Sequence, residues 1–298
     1  MTKKILIIGG TGFIGFNLSI CCLKKKWKVT SVSTKKPTFK KKLKKVEYII
    51  CDIGKFGNLK KTIPKRNFDY VVNLGGHVDH SKKLKVFKSH YLGCKNLADY
   101  FCNKKITSFV QIGSGLEYGN NSKPHKEIFK CKPKSHYAMA KYKATKYLIN
   151  LFNKQNFPVT ILRLYQAYGP HQDNNRLIPQ VINNSLQDKK FNCTEGKQIR
   201  DFIYIEDLIF IIFRIFETKK ARGEIFNIGS GEKIKIKNLI SKIVKFCKLG
   251  TPIYGAIKMR EDESMFMCPN LIKIKKILKY KKKFSINKGL KKTINFYK

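Results

Sequence analysis

Acidic side chains are scarce in this 298-residue chain, with 19 Asp and Glu against 63 Lys and Arg and a formal charge of +44. Such a field attracts polyanions without selectivity and favours a small anionic substrate. Arginine is also scarce, at seven residues, and the lysines run along the whole chain instead of clustering. Readers of nucleic acid lean on clustered Arg with interleaved aromatics, so no specific nucleic-acid partner is expected. The wealth of Lys, Ile, Asn, Phe and Tyr is that of an AT-rich genome filling solvent positions with Lys. No apolar stretch approaches the roughly 20 residues that cross a bilayer. The first apolar run, at Ile5, leads directly into glycines and reads as a strand, not as a secretory leader. No membrane partner is therefore expected, and the expected place is the cytoplasm. The nine cysteines include no C-x-x-C pair, which argues against a zinc ribbon or a disulfide framework and for reduced thiols. Internal repeats and low-complexity linkers are lacking as well.

What is present is a folded composition, 42% apolar and 12% aromatic. Apolar runs of strand length alternate with helical patterns over the first two thirds, which predicts an α/β fold with a doubly wound parallel sheet. Strands are expected at 3–8, 27–33, 46–51, 70–74, 108–113 and 157–164, and helices at 12–26, 81–103 and 135–156. Beyond "YGP" at 168–170 the pattern is less regular. A first domain over 1–164 and a smaller substrate-binding lobe over 165–298 are expected, the two partly interleaved.

In "GGTGFIG" the glycines at 9, 12 and 15 stand at a strand exit and helix entrance. Such positions serve a tight turn, close approach of a pyrophosphate and helix-to-strand packing, with the helix N-terminus facing the phosphates. A plain turn would show the same glycines. The end of the second strand, "SVSTKKP", carries no carboxylate to bind a ribose 2′-hydroxyl. Ser33, Thr34 and Lys35 suit a 2′-phosphate, so NADP is favoured and NAD is the alternative. In "CDIG", Asp52 and Ile53 either border the adenine or, for Asp52, cap the following turn.

"SHYAMAKYKA" places Tyr137 and Lys141 on one face of the predicted helix at 135–156. An ammonium one turn away stabilises a phenolate and makes the phenol useful for proton transfer near neutral pH. Ser114, ending the predicted fifth strand in "QIGSGLEYGN", either hydrogen-bonds a substrate oxygen or is a turn serine.

With these residues the chain resembles the extended short-chain dehydrogenases/reductases, the nucleotide-sugar epimerases, dehydratases and reductases. The resemblance rests on "GGTGFIG", "VVNLGG", "IGSGLEYG" and "YAMAK", followed in order by "LRLYQAYGP", "RLIPQVI", "GKQIRDFIYIEDL" and "IFNIGSGE". It implies a Rossmann fold and a catalytic trio of Ser114, Tyr137 and Lys141. Tyr137 would exchange a proton with a sugar oxygen, Lys141 would lower its pKa and hold the nicotinamide ribose, and Ser114 would orient the reacting oxygen. It further implies cofactor contacts from Gly9, Gly12, Phe13, Ile14, Gly15, Ser33, Thr34, Lys35, Asp52, Ile53, Leu74, Gly75, Gly76, Tyr137 and Lys141. A nucleotide-diphosphate sugar would meet Gln166, Arg200 and Arg260, an Arg fork suiting phosphate better than Lys does. Homodimerisation through the helices at 81–103 and 135–156 is implied as well. The chain departs from the family at His90, where an Asn is usual. His77, Asp79 and His80 after the fourth strand are also unusual: substrate contact by His77 or Asp79 and a solvated loop are both open, and no metal site is expected.

Dehydratases of the family carry an Asp-Glu pair directly after the Ser or Thr, because removing water needs an extra acid and base. Gly115 and Leu116 stand there, so a 4,6-dehydratase is not expected. The "EYG" with Glu117 and the short chain resemble reductases of nucleotide-linked 4-keto-6-deoxysugars. A 4-epimerase with tightly bound NAD is the enzymatic alternative, and a nucleotide- or RNA-binding scaffold the non-enzymatic one.

Overall fold

The computed structural model describes residues 2–63, 67–77, 79, 81–259 and 263–298. In chain order its elements are β1 (Lys4–Ile8), α1 (Phe13–Lys24), β2 (Lys28–Ser33), β3 (Val46–Ile50), α2 (Phe56–Thr62), β4 (Tyr70–Asn73), α3 (Lys83–Phe87), α4 (Gly93–Phe101), β5 (Ser108–Ser114), α5 (His136–Gln155), β6 (Val159–Leu164), β7 (Gln166–Tyr168), α6 (Leu177–Leu186), β8 (Lys190–Asn192), β9 (Ile199–Tyr204), α7 (Ile205–Glu217), β10 (Ile225–Ile228), β11 (Lys233–Lys235), α8 (Ile236–Cys247), β12 (Thr251–Ile253), β13 (Phe266–Met267), α9 (Ile272–Leu278) and α10 (Ile286–Tyr297). The chain divides into two units. The first is Met1–Glu117, Lys130–Arg163 and Ile209–Phe226; the second is Tyr118–Phe129, Leu164–Leu208 and Asn227–Lys298.

The main sheet is parallel and seven-stranded, in the order β10-β6-β5-β4-β1-β2-β3. Its central strands read as near-continuous apolar runs because both faces are covered. In β1, Ile5 lies between Val29 and Tyr70, and Ile8 between Val32 and Asn73. Leu6, Val71, Phe109 and Ile161 join Leu97, Phe101 and Leu148 of the helices in one buried cluster. At the amino ends of the strands Trp27 stacks on Tyr70 at 5.0 Å, and Phe213 and Phe216 close the patch. The strand order reverses between β1 and β4, and in such sheets ligands bind at the carboxyl ends beside that reversal.

The predicted helix at 135–156 forms as α5. Ser135 caps it by accepting from the Ala138 amide at 3.1 Å, and Asn156 ends it in the left-handed conformation at φ 54°. The predicted helix at 81–103 is not uniform, because α3 and α4 are separated by one π-helical turn over Lys88–Leu92. That turn carries His90. The "IFNIG" segment adds its strand β10 to the edge of the main sheet beside β6, a placement no local pattern specifies.

In the second unit β9 pairs with β7, β11 and β13, and β8 pairs with β12. Two buried carboxylates hold its loops. Asp201 accepts from the Ser230 and Gly231 amides at 2.6 Å each, and Asp207 from the Lys283 and Phe284 amides at 3.0 and 3.1 Å. Burial pushes the Asp201 carboxyl up to about 6, against the lowering effect of those amides. No helix among the described residues is long and apolar enough to cross a membrane. All nine cysteines carry thiols.

Candidate active site

The glycine turn is built for a tight reversal. Gly9 sits at φ +75°, its amide donating to Val32 O at 2.7 Å and its carbonyl accepting from the Gly12 amide at 3.0 Å. A Cβ on Gly15 would overlap the Gly9 carbonyl, so this glycine is needed for helix α1 to pack on the turn. A Cβ on Gly12 would meet only the Gly9 carbonyl, at 3.3 Å, leaving a side open to a ligand. No side chain caps α1, which begins with Phe13 and Ile14, so its first amides suit a pyrophosphate. Gly10, absent from the predicted set, is also required, since a Cβ there would overlap the Ser31 hydroxyl. These features fit a dinucleotide.

At the end of β2, Ser33 Oγ accepts from Thr11 Oγ1 at 2.9 Å, tying the strand end to the glycine turn. A hydroxyl that accepts can still donate its own proton. Thr34 and Lys35 are exposed beyond it. Asp52 is exposed and caps its turn by accepting from the Gly54 amide at 2.9 Å. Ile53 is buried; a Cβ on Gly75 would meet it at ordinary contact distance, and one on Gly93 would overlap it. Leu74 donates its amide to Ile8 O at 3.0 Å, and Gly75 to Asn73 Oδ1 at 3.1 Å, which fixes the loop after β4 beside β1.

Lys141 is only 4% exposed. Its ammonium lies 5.9 Å from the centre of the Tyr137 ring and donates to Ile112 O at 2.7 Å, two residues before Ser114. Helix α5 and strand β5 thus bring the three predicted catalytic residues into one neighbourhood. Burial pushes the Lys141 ammonium down to about 8, with Glu117 pulling the other way. The nearby Cys94 thiol, raised to about 12 by burial, is neutral near pH 7 and offers no countercharge. Ser114 Oγ accepts from the Leu116 amide at 3.2 Å.

Beneath Ser114 lies a group the sequence reading did not use as such. Glu117 is fully buried and accepts from the Ser114 amide and Thr145 Oγ1 at 2.9 Å each, and from Arg163 Nε at 3.0 Å. The available signal was a lone Glu in "GLEYG" and a lone Arg in the apolar run "VTILRL".

Behind Tyr137 the ring of His90 stands edge-on at 4.9 Å, its Nε2 3.1 Å from His77 O. A Cβ on Gly76 would overlap the His90 ring, so the glycine leaves room for it. The His77 amide donates to Ser89 Oγ at 3.0 Å. Asp79 is exposed and engaged with Ser81, whose hydroxyl and amide hold its carboxyl below the usual range. His80 lies outside the described residues, among which no group of three or more His, Cys, Asp or Glu could hold a metal.

In the second unit Gln166 is exposed on β7. Arg200 on β9 is 7% exposed, donates to Ile199 O at 2.9 Å and is ion-paired with Glu263. Arg260 lies outside the described residues.

Known proteins similar to this chain point to one family. The family described as "NAD dependent epimerase/dehydratase family" matches residues 5–229. A dTDP-D-glucose 4,6-dehydratase of Dictyostelium discoideum is 29% identical over 272 residues, 81% of this chain and 62% of that protein, so the match spans less than two thirds of the relative. A CDP-abequose synthase of Salmonella muenchen is 26% identical over 309 residues, 99% of this chain and 98% of the relative. Among solved structures, the UDP-glucuronic acid 4-epimerase of Bacillus cereus, in complex with UDP-glucuronic acid and NAD, superposes with a TM-score of 0.87 at 25% identity, covering 98% of each chain. With three quarters of its length matched by the family and the glycine turn and Tyr-Lys pair in place, the chain belongs to the NAD dependent epimerase/dehydratase family and is an enzyme of the extended short-chain dehydrogenase/reductase type.

Proposed function

We propose that this enzyme reduces the 4-keto group of a nucleotide-diphosphate 4-keto-6-deoxysugar and prefers NADP. The observation that carries the reading is the buried Lys141, one turn from Tyr137 and bonded to the carbonyl of Ile112 just before Ser114. A cofactor held there would supply hydride to the sugar carbon. Tyr137 delivers the proton to the resulting C4 alkoxide, so the ketone becomes an alcohol with atoms and charge in balance. Lys141, as the cation, stabilises the phenolate left behind, and the Ser114 hydroxyl orients the reacting oxygen.

Gly9, Gly12, Phe13, Ile14 and Gly15 would hold the pyrophosphate and Ser33, Thr34 and Lys35 the adenosine ribose, while Asp52 and Ile53 would border the adenine and Leu74, Gly75 and Gly76 the nicotinamide side. Arg200 and Gln166 take the sugar's diphosphate, Arg200 exchanging Glu263 for phosphate, with Arg260 a second cation and His77 a sugar contact. The described mouth offers no Asp-Glu pair at Gly115 and Leu116, which weighs against dehydration. The enzyme is further proposed to act as a cytoplasmic homodimer built from the region of α3, α4 and α5, with 1–164 as cofactor domain and 165–298 as substrate lobe, the two partly interleaved.

The solved 4-epimerase with bound NAD favours a second reading, a 4-epimerase that retains NAD and shows no net redox change. Purified protein given NADPH and a panel of GDP-, dTDP-, CDP- and UDP-linked 4-keto-6-deoxysugars is expected to consume NADPH. Interconversion of a 4-hydroxy sugar with cofactor retained and no NADPH consumed would replace the reductase by the epimerase.

A further inference from the structure

Glu117 makes contacts that a space-filling residue at its position would not need. One carboxylate oxygen accepts the amide of Ser114 and the other accepts both Thr145 Oγ1 and Arg163 Nε. Thr145 stands one helical turn beyond Lys141 on α5, and Arg163 stands on β6. The carboxylate therefore joins the end of β5, the helix that bears Tyr137 and Lys141, and the neighbouring strand. Both charges are out of water, Arg163 being 3% and Glu117 0% exposed. Gly113 leaves space for it, because a Cβ there would lie 2.7 Å from Glu117 Oε1.

A buried ion pair is seldom needed for stability, since an apolar pair of similar volume is often as good or better. What it supplies is direction. Three donors on three elements must meet two oxygens at fixed angles, and a slide of β5 against α5 breaks them. We propose that Glu117 is a positioning residue, holding the Ser114 backbone and the Tyr137–Lys141 helix in one rigid frame for proton transfer. This rests on the reductase-or-epimerase reading above. Its negative charge also faces Lys141, as do Cys94 from α4 and Tyr137 from α5, so Glu117 helps keep that ammonium protonated.

Two variants test it. Glu117→Gln removes the charge and keeps an acceptor, whereas Glu117→Leu/Arg163→Met replaces the pair by apolar groups and keeps the fold. Both are expected to lose about 100-fold in kcat, the scale set by misplacement of reacting groups by about 1 Å, with KM changed by less than about threefold. In both, the alkaline limb of the pH profile moves to lower pH, because Lys141 has lost the carboxylate that raised its pKa. The Ser114 amide, followed by hydrogen exchange, exchanges faster in the double variant. A folded double variant with wild-type kcat, an unmoved limb and an unchanged Ser114 exchange rate overturns the proposal. If the wild-type protein turns over no nucleotide sugar, the reductase reading fails instead. Ser114 exchange then decides the positioning role by itself: faster exchange in the double variant supports it and an unchanged rate overturns it.

Discussion

The ammonium of Lys141 reaches the carbonyl of Ile112 at 2.7 Å from one helical turn beyond Tyr137, so a single buried cation bridges the helix of the phenol and the strand of Ser114. Burial lowers its pKa to about 8, which in the proposed mechanism would set the alkaline limit of the reaction. The cation is the form that stabilises the phenolate, and its fraction falls as pH rises through that value. The rate constant kcat/KM is therefore expected to fall about tenfold per pH unit above about 8. Tyr137→Phe should lower turnover by at least about 100-fold, with cofactor affinity, measured by titration, kept within about threefold. Unchanged turnover in Tyr137→Phe sinks the assignment of the proton donor.

The proposed preference for NADP rests on the end of β2. Ser33, tied to Thr11 across the glycine turn, and the exposed Thr34 and Lys35 offer hydroxyls and a cation where a carboxylate would select NAD. Lys35→Asp is expected to raise KM for NADPH about tenfold, the cost of exchanging a favourable charge contact for a repulsive one at an exposed site. KM for NADH should stay level or improve. A wild-type protein that uses NADH more efficiently than NADPH removes the basis for this preference.

Much of the fold is legible in the sequence because burial on both faces turns β1 and β4 into apolar runs, and because Ser135 and Asn156 mark the ends of α5 chemically. Tyr137 and Lys141 could be placed on one face by spacing alone. The π-helical turn that carries His90 could not, since a switch from i→i+4 to i→i+5 bonding over five residues leaves no compositional mark. Nor could the Glu117–Arg163 pair, whose members are 46 positions apart. Arg200 was readable as a cation, but its ion pair with Glu263 depends on β13 lying beside β9.

Gly76 and His90 form a steric couple. A methyl group on residue 76 would occupy the space of the imidazole, and the ring it would displace stands against Tyr137. Gly76→Ala is expected to lower stability by about 1–3 kcal/mol through overpacking and to lower kcat by shifting Tyr137. Adding His90→Asn to Gly76→Ala returns volume to the site, and the double variant should melt closer to wild type than the single one does. If Gly76→Ala alone melts at the wild-type temperature, the ring is free to move and the couple does not constrain Tyr137.

Asp201 makes the stability of the protein depend on pH in a direction opposite to that of most carboxylates. Its carboxyl is raised by burial from 3.8 to about 6, so between those values the folded state binds more protons than the unfolded chain. Stability from this group is present below pH 3.8 and is lost as pH rises through about 6, by up to about 3 kcal/mol for a shift of this size. The two amides of Ser230 and Gly231 that it accepts partly offset the loss by favouring the ionised form. Asp201→Asn cannot ionise, so its urea-unfolding free energy should lack this fall between pH 4 and 6, measured against the wild-type curve in the same buffers. The asparagine keeps one oxygen for one of the two amides, and at pH 4, where Asp201 is protonated in the folded protein, the variant should be less stable than wild type by about 1–3 kcal/mol, the cost of leaving the other buried donor unpaired. Parallel pH profiles of the two proteins would show that Asp201 titrates at the same pH in the folded and unfolded chain.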